Sequence, residues 1–324
     1  MKHEYELISH NNVNFHVFLV NILYRTPHVH RDYEICLILD GTITLYTNND
    51  SFILSQNDIF ITNPFSSHEL KAERPALILS LQISPSLFSA YYPQIKHTQL
   101  DISVLNNQAH GTWCKNIRKN MLQIAFSYFH KENLYEFKCV TLLNQLFQFL
   151  LATLPTHLVS ENERIAAKFK AKRMQNIAEY IDEHFSEKLL LSDIAKQLEL
   201  DLFYLSHFFK DCFGMSFQNY LKKIRCEHAR QLLLLSDLSM LNISISCGFS
   251  DPKYFNKAFL QQYGCLPKQY RKNFKTEKLE EQQKSMLSTQ EFLSESSSLI
   301  ILDKYMSKCL KKDWYSLKII MFPM

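Results

Sequence analysis

Two histidines, a glutamate and a glycine stand in the chain as H-x-H-x3-E-x6-G: His28, His30, Glu34 and Gly41. A third histidine, His68, closes the segment NDIFITNPFSSH, residues 57–68, which also carries Pro64. Imidazoles with one carboxylate suit zinc, iron, nickel or manganese. In a strand, alternate residues share a face, so His28 and His30 point the same way and Cys36 and Ile38 turn with Glu34. The bland alternative is that these histidines pack and hydrogen-bond in or beside a pocket. No other chemistry competes. The eight cysteines are scattered without a CxxC pair, so neither a zinc finger nor a disulfide framework is indicated. No phosphate loop, receiver-type acidic cluster or nucleophile motif occurs, which sets aside ATPase and phosphorelay functions.

A second group of residues could bind double-stranded DNA. In GFSDPKYFNKAFLQQYG, residues 248–264, Gly248 ends a short amphipathic segment, Ser250 or Asp251 caps a new helix, and Pro252 suits its first turn. Gly264 stops that helix. Tyr254, Phe255 and Phe259 are expected on its apolar face, with Lys253, Asn256 and Lys257 on the other. The arrangement occurs earlier in SDIAKQLELDLFYLSHFFKDCFG, residues 192–214, where Asp201 caps a helix ending at Gly214. There Leu205, Phe208 and Phe209 face inward, while Phe203, Tyr204, Ser206, His207 and Lys210 face outward. Residues 216–235 form one long amphipathic helix between the two helix-turn-helix units. Helices at 202–213 and 252–263, fixed by that helix, suit successive major grooves.

The elements that must position these residues divide the chain. Residues 15–82 read as short β-branched and aromatic strands broken by turn signals, an antiparallel barrel or sandwich. From about 113 the apolar period becomes helical, and two helices are expected through 155, with a Phe147, Leu150, Leu151 stripe. Residues 156–172 are polar and read as a linker, after which everything is helical. Beyond 275 the chain is charged and Ser/Gln-rich, then apolar and basic, and reads as a poorly ordered tail of unknown role. With 324 residues, 46% hydrophobic and 21% charged, the chain is long enough for two cores. Residues 1–156 carry 11 basic against 12 acidic residues, and residues 172–275 carry 15 against 11. That asymmetry fits a DNA-binding C-terminal half but does not demand one. No apolar run reaches membrane-spanning length and no signal peptide is evident, so a cytoplasmic protein is expected.

Residues 174–273 resemble the DNA-binding domain of the AraC/XylS transcription regulators. The resemblance is carried by YLSHFFKDCFGMSFQNYL, by Arg225 with Ala229, and by GFSDPKYFNKAF and YGCLPKQYR. Three positions depart from the family pattern: Leu260 and Ser244 stand where lysine and alanine are usual, and His207 where arginine is common. The N-terminal segments around His28 and His68 are similar to the two motifs of the cupin barrel, in which three histidines and a glutamate can converge on one metal. Asn57 and Ser66 replace two usual glycines of the second motif. Regulators of this type often keep the pattern around a small effector without metal.

The resemblance implies an α+β chain in four parts. Residues 1–112 would form a cupin-like effector-sensing barrel, 113–160 a helical dimerisation segment, and 161–275 the DNA-binding domain, with 276–324 as the tail. It implies a transcription regulator, as activator a partner of RNA polymerase, forming a homodimer and answering a small effector such as a sugar. The expected pocket is His28, His30, Glu34, Cys36, Ile38 and His68. No metal is favoured, and His28, His30, Glu34 and His68 are the set if one binds. No enzymatic activity is expected; a metal-dependent cupin enzyme fused to a DNA-binding domain is the alternative.

Overall fold

The computed structural model describes residues 14–47, 50–275 and 290–309. Six strands build the N-terminal barrel: β1 (Phe15–His28), β2 (Tyr33–Asp40), β3 (Thr42–Thr47), β4 (Ser51–Ser55), β5 (Ile59–Thr62) and β6 (His68–Ile83). All pair antiparallel. The long β6 lies between β1 and β2 over its second half and between β1 and β3 at its start, which nearly closes the sheet. Short β7 (Thr98–Leu100) and β8 (Val104–Leu105) follow, and β8 extends the sheet beside β5.

Alternation along β2 explains its nearly unbroken apolar sequence. Cys36 and Ile38 face the barrel interior with Phe18, Val20, Leu45 and Phe60. Ile35, Leu37 and Leu39 face the opposite side, which α1 (Gly111–His130) and α2 (Tyr135–Thr153) cover. A strand buried on both faces has no polar face to show. Phe147 and Leu150 are buried in that same layer and Leu151 packs against it. The Phe147, Leu150, Leu151 stripe is therefore covered within one chain.

Strand β9 (Thr156–Leu158) pairs with β7, and α3 (Glu161–His184) begins at once. The polar stretch to residue 172 is thus mostly helix rather than linker. Ser160 accepts from Glu163 N while the Glu163 carboxylate accepts from Ser160 N, and this capping box starts α3. The remaining helices are α4 (Leu191–Gln197), α5 (Leu202–Phe213), α6 (Phe217–Leu235), α7 (Met240–Ser246), α8 (Pro252–Tyr263) and α9 (Pro267–Lys275). They form two cores that share α6. Phe217, Tyr220, Leu221 and Ile224 join the α3–α5 core, while Cys226, Ala229 and Leu233 join the α7–α9 core.

Part of the tail returns to the barrel. β10 (Gln290–Phe292) adds to the open edge of β1, and α10 (Glu295–Cys309) packs on α1. Leu302 is fully buried in the layer under α1 and α2, and Tyr305 donates to Asn57 Oδ1 at 2.6 Å. Residues 290–309 are therefore an ordered part of the N-terminal unit, not a loose tail; 276–289 and 310–324 lie outside the described residues. An edge strand offers unpaired backbone groups to any extended segment, and that tertiary opportunity decides the structure of 290–292. No helix among the described residues is long and apolar enough to cross a membrane.

Candidate functional site

The four predicted donors meet at the end of the barrel that faces the helical half. His28, at the end of β1, pairs across the sheet with His68, the first residue of β6. Glu34 on β2 lies opposite Thr62 of β5 and Gln82 of β6. His30 comes from the β1–β2 loop. One donor atom from each of the four lies within 4.8 Å of the others.

Backbone carbonyls orient all three rings. His28 Nδ1 lies 3.0 Å from Thr26 O, His30 Nδ1 2.8 Å from Asp32 O, and His68 Nδ1 3.3 Å from Ser66 O. A carbonyl only accepts, so in each neutral ring Nδ1 carries the hydrogen and Nε2 keeps its lone pair. Glu34 Oε2 sits 3.2 Å from His30 Nε2 and 3.3 Å from His68 Nε2. His68 Nε2 is buried without an aligned hydrogen bond. Glu34 Oε1 accepts from Ser80 Oγ at 2.7 Å and Gln82 Nε2 at 3.2 Å, which leaves Oε2 directed at the histidines. Acceptor facing acceptor is unfavourable unless a positive charge, a proton or a metal ion, lies between.

The protonation tendencies follow from this crowding. Burial, then the neighbouring His68, pushes His28 well below the ordinary imidazole value, and burial lowers His68 as well. Burial would also lower His30, but its hydrogen bond to Glu34 and that carboxylate's charge outweigh it and raise the ring. Burial would raise Glu34; hydrogen bonds to His30 and His68 reverse this and hold it well below the usual range. Two neutral imidazoles, a third paired to a carboxylate, and a common centre fit a divalent transition ion. A second shell of backbone carbonyls behind the rings is what such ligands use to fix their orientation.

Inside the barrel, His28, Glu34 and Cys36 line a cavity of about 30 Å³ together with Arg25, Ser80 and Gln82. Gln290 of β10 closes one wall and hydrogen-bonds Arg25. Ile38 shares the inward face of Cys36 but is fully buried in the apolar cluster beyond it. A sugar does not fit the barrel cavity as closed by β10. His68 instead lines a larger cavity of about 540 Å³ between the barrel and the helical half, with Tyr46, Glu69, Phe213 and Lys223.

Contacts cross that junction. Val29, between two of the histidines, packs against the α3–α6 core. Ser67 Oγ donates to Cys212 O at 3.5 Å, and Lys223 Nζ lies 2.5 Å from Glu69 Oε1 and 4.3 Å from the Tyr24 ring centre.

On the other side of the helical half, α5 and α8 present corresponding surfaces. Leu202 and Pro252 open them and Gly214 and Gly264 follow them, fifty residues apart in each case. Asp201 accepts from Tyr204 N and Asp251 from Lys253 N, so both starts are capped. Both closing glycines are left-handed, the conformation that ends a helix without a Cβ penalty. Leu205, Phe208 and Phe209 face one core; Phe255, Ala258 and Phe259 face the other. Phe203, Tyr204, Ser206, His207, Lys210, Pro252, Lys253, Tyr254, Asn256 and Lys257 are all exposed. Tyr254 corrects the expected apolar face: it is 66% exposed, beside Lys253 rather than with Phe255. Leu260 is exposed, and Ser244 is fully buried in α7.

Several supporting residues escape a motif reading. Arg173 of α3 hydrogen-bonds the Tyr204 hydroxyl and lies 5.3 Å from its ring centre, steadying a side chain of α5. Within α6, Arg230 is almost wholly buried and bonds Glu227 at 2.8 Å, which also accepts from Tyr263 Oη at 2.6 Å. Arg225 donates to Phe185 O and Glu187 O. Ser80 and Gln82 carried a visible signal, two polar residues at alternate positions of an apolar strand.

The chain was compared with known proteins. A helix-turn-helix domain model matches residues 194–273, and an AraC-like ligand binding domain model matches residues 21–137. Regulatory protein PocR of Salmonella typhimurium is 38% identical over 99 residues, 31% of this chain and 33% of that protein. An HTH-type transcriptional regulator of Staphylococcus aureus is 24% identical over 237 residues, 72% of this chain and 30% of that protein. The chain thus spans about a third of the length of these curated relatives. Among solved structures, the C-terminal domain of the response regulator yesN from Fusobacterium nucleatum is 38% identical (TM-score 0.30, covering 31% of this chain and 98% of that one). ToxT from Vibrio cholerae is 14% identical, with a TM-score of 0.41 and coverage of 79% and 97%. With a ligand-binding domain followed on one chain by a helix-turn-helix domain, the protein belongs to the AraC/XylS family.

Proposed function

We propose that the chain is a sequence-specific transcription regulator that binds double-stranded DNA through α5 and α8 and senses a small effector in its N-terminal half. The observation that carries this reading is the pair of capped, exposed helices held by α6. At ~1.5 Å per residue its 19 residues span about 28 Å. Contacts one turn of duplex apart lie ~34 Å from each other, so both helices can enter successive major grooves on one face. Asn256 is suited to adenine and Lys257 to guanine, while Lys253 at the helix start is suited to phosphate. In α5, His207 is the base reader, Lys210 a phosphate contact, and Phe203 or Tyr204 meets a thymine methyl; Ser206, Pro252 and Tyr254 flank them.

The reading includes a cytoplasmic homodimer and, for an activator, contact with RNA polymerase. Its dimer face is the outer side of α2, where Phe137 is 74% exposed, since the Phe147 side is covered. No catalytic role is included: the domains that match are a ligand-binding domain and a helix-turn-helix domain.

Lys253→Ala and Asn256→Ala, titrated against a duplex library at two salt concentrations, test the reading. Lys253→Ala is expected to weaken binding to all sequences and lower the salt slope by about one counterion. Asn256→Ala is expected to cost ~1–3 kcal/mol at one base pair and relax preference there. Uniform loss in both variants would remove α8 as a base reader.

A further inference from the structure

We propose that α3 carries a further part of the DNA interface, in which Lys168 and Lys172 hold phosphates of the duplex strand that runs beside α5. The inference rests on the DNA-binding reading above. It adds a third element, from residues that neither matching domain covers, since one ends at residue 137 and the other begins at 194.

Charge along α3 is sorted in a way the helix itself does not require. Between residues 164 and 173 stand Arg164, Lys168, Lys170, Lys172 and Arg173 with no acidic residue. Glu161 and Glu163 precede them, and Glu179, Asp182 and Glu183 follow. The macrodipole favours acids in the first turn and bases in the last, so it explains Glu161 and Glu163 but not Asp182 and Glu183. Arg164 is spent on Glu161. Lys168 and Lys172 are exposed, and among the described residues no ion pair or hydrogen bond engages either. Like charges at i and i+4 destabilise a helix. A pair kept at that cost suits a site where an anion lies across both.

Geometry places the pair. Arg173 bonds the Tyr204 hydroxyl and lies 5.3 Å from the Tyr204 ring centre and 5.6 Å from that of Phe208, so its side of α3 faces α5. Met174 is buried in the core that α3 and α5 share. Successive residues turn by ~100°, which sets Lys172 on the other side of Arg173 from Met174. Core, α5 flank and open side thus follow in order around α3. Because both helices back onto one core, their open sides look the same way, and α5 turns Tyr204 and His207 there. Lys168, one turn before Lys172, shares its face. Burial raises the Cys212 thiol to about 11, against the opposing charge of Lys170. The run from Arg173 back to Lys170 therefore leads from Tyr204 toward the end of α5, where Lys210 stands. The barrel adjoins α3 at Glu161, 3.6 Å from His97 Nε2, and leaves both lysines open.

Spacing suits a DNA strand. Four residues of helix rise ~6 Å, and the phosphates of one strand recur every ~3.4 Å along the duplex axis. Two ammonium groups on flexible stems reach phosphates one or two apart on the groove wall beside α5. Such contacts set register and orientation and carry no sequence information.

The test uses the full chain and a duplex that it selects from a random library. Lys168→Gln with Lys172→Gln is compared with Arg74→Gln with Lys119→Gln, which removes the same charge from exposed positions of the N-terminal half. At ~0.9 counterions released per phosphate, the α3 pair is expected to lower the salt slope by about two. Its deficit against the wild-type chain then shrinks about tenfold between 50 and 200 mM salt. Base preference is expected to stay unchanged, and Lys168→Arg with Lys172→Arg to keep the wild-type slope. An unchanged slope in the α3 glutamine pair overturns the contact. An equal fall in the control pair reduces the effect to net charge and overturns it too, as does a changed base preference. Selection of no duplex by the wild-type chain overturns the DNA-binding reading, and this contact with it.

Discussion

His28, His30, Glu34 and His68 titrate in one small volume, so the folded chain binds protons differently from the unfolded one. Burial and the facing His68, Arg25 and His30 keep His28 below the ordinary value of 6.5, and His68 is lowered too. Their contribution to stability is complete above 6.5 and is lost as pH falls below it, because only the unfolded chain takes up those protons. His30 is raised, so its contribution is present below 6.5 and is lost as pH rises through its folded value. Glu34 is lowered, and its contribution fails only as pH falls through its folded value. Urea unfolding of the metal-free chain should therefore show maximal barrel stability near pH 6.5–7. Below that, the slope should be about 1.4 kcal/mol per pH unit for each imidazole kept neutral. His28→Gln with His68→Gln should flatten the acid side; an equally steep slope in that variant would show that other groups carry it. The four side chains were legible from H-x-H-x3-E and a later histidine. Their tautomers were not, because Thr26 O, Asp32 O and Ser66 O belong to the backbone path of the rim and carry no sequence mark.

At the scale of elements, the two helices closest to the proposed DNA contacts were readable to the residue because their signals are local. Asp201 and Asp251 cap them and Gly214 and Gly264 end them. Gly248 has a different task. Its φ is +76°, and a Cβ there would lie 2.7 Å from the carbonyl oxygens of Phe185 and Ser186. Gly264, at +71°, opens to empty space. Gly264→Ala should cost only the left-handed strain of ~1–2 kcal/mol. Gly248→Ala should cost at least twice that, since backbone must move; equal costs by thermal unfolding would show that the loop after α3 yields freely. The returning tail was not legible. Three residues of β10 acquire their strand from the exposed edge of β1, and a Ser-rich approach masks the apolar face of α10. Leu302→Ala should cost ~2–5 kcal/mol of N-terminal stability, as for a buried core leucine, where a loose tail would cost nothing. The start of α3 was readable and missed: Ser160 and Glu163 spell a capping box inside a stretch taken as linker.

Across the whole molecule, a line of polar contacts runs from the barrel to the second helix-turn-helix unit. Glu69 meets Lys223 on α6; one turn on, Glu227 holds Arg230 and the hydroxyl of Tyr263 at the end of α8. Burial lowers Lys223 from its ordinary value and the Glu69 charge opposes that, so the ion pair is what keeps a half-buried ammonium at the junction. The side chains of Lys223 and Glu69 are 21% and 12% exposed, too sheltered for water to replace a lost partner fully and too open for the full cost of a deeply buried charge. Glu69→Gln and Lys223→Gln should each destabilise the chain, and the double variant should cost less than their sum. A coupling energy of ~0.5–3 kcal/mol is expected from the cycle, measured by urea unfolding of the full chain. Because Glu69 and Lys223 belong to the two halves, that coupling measures what this one contact adds to holding the barrel against α6. Strict additivity would mean that the two halves meet at this contact without holding each other. Val29, Ser67 and the Tyr24 ring beneath Lys223 would then be left among the described contacts to join the histidine cluster to the helical half.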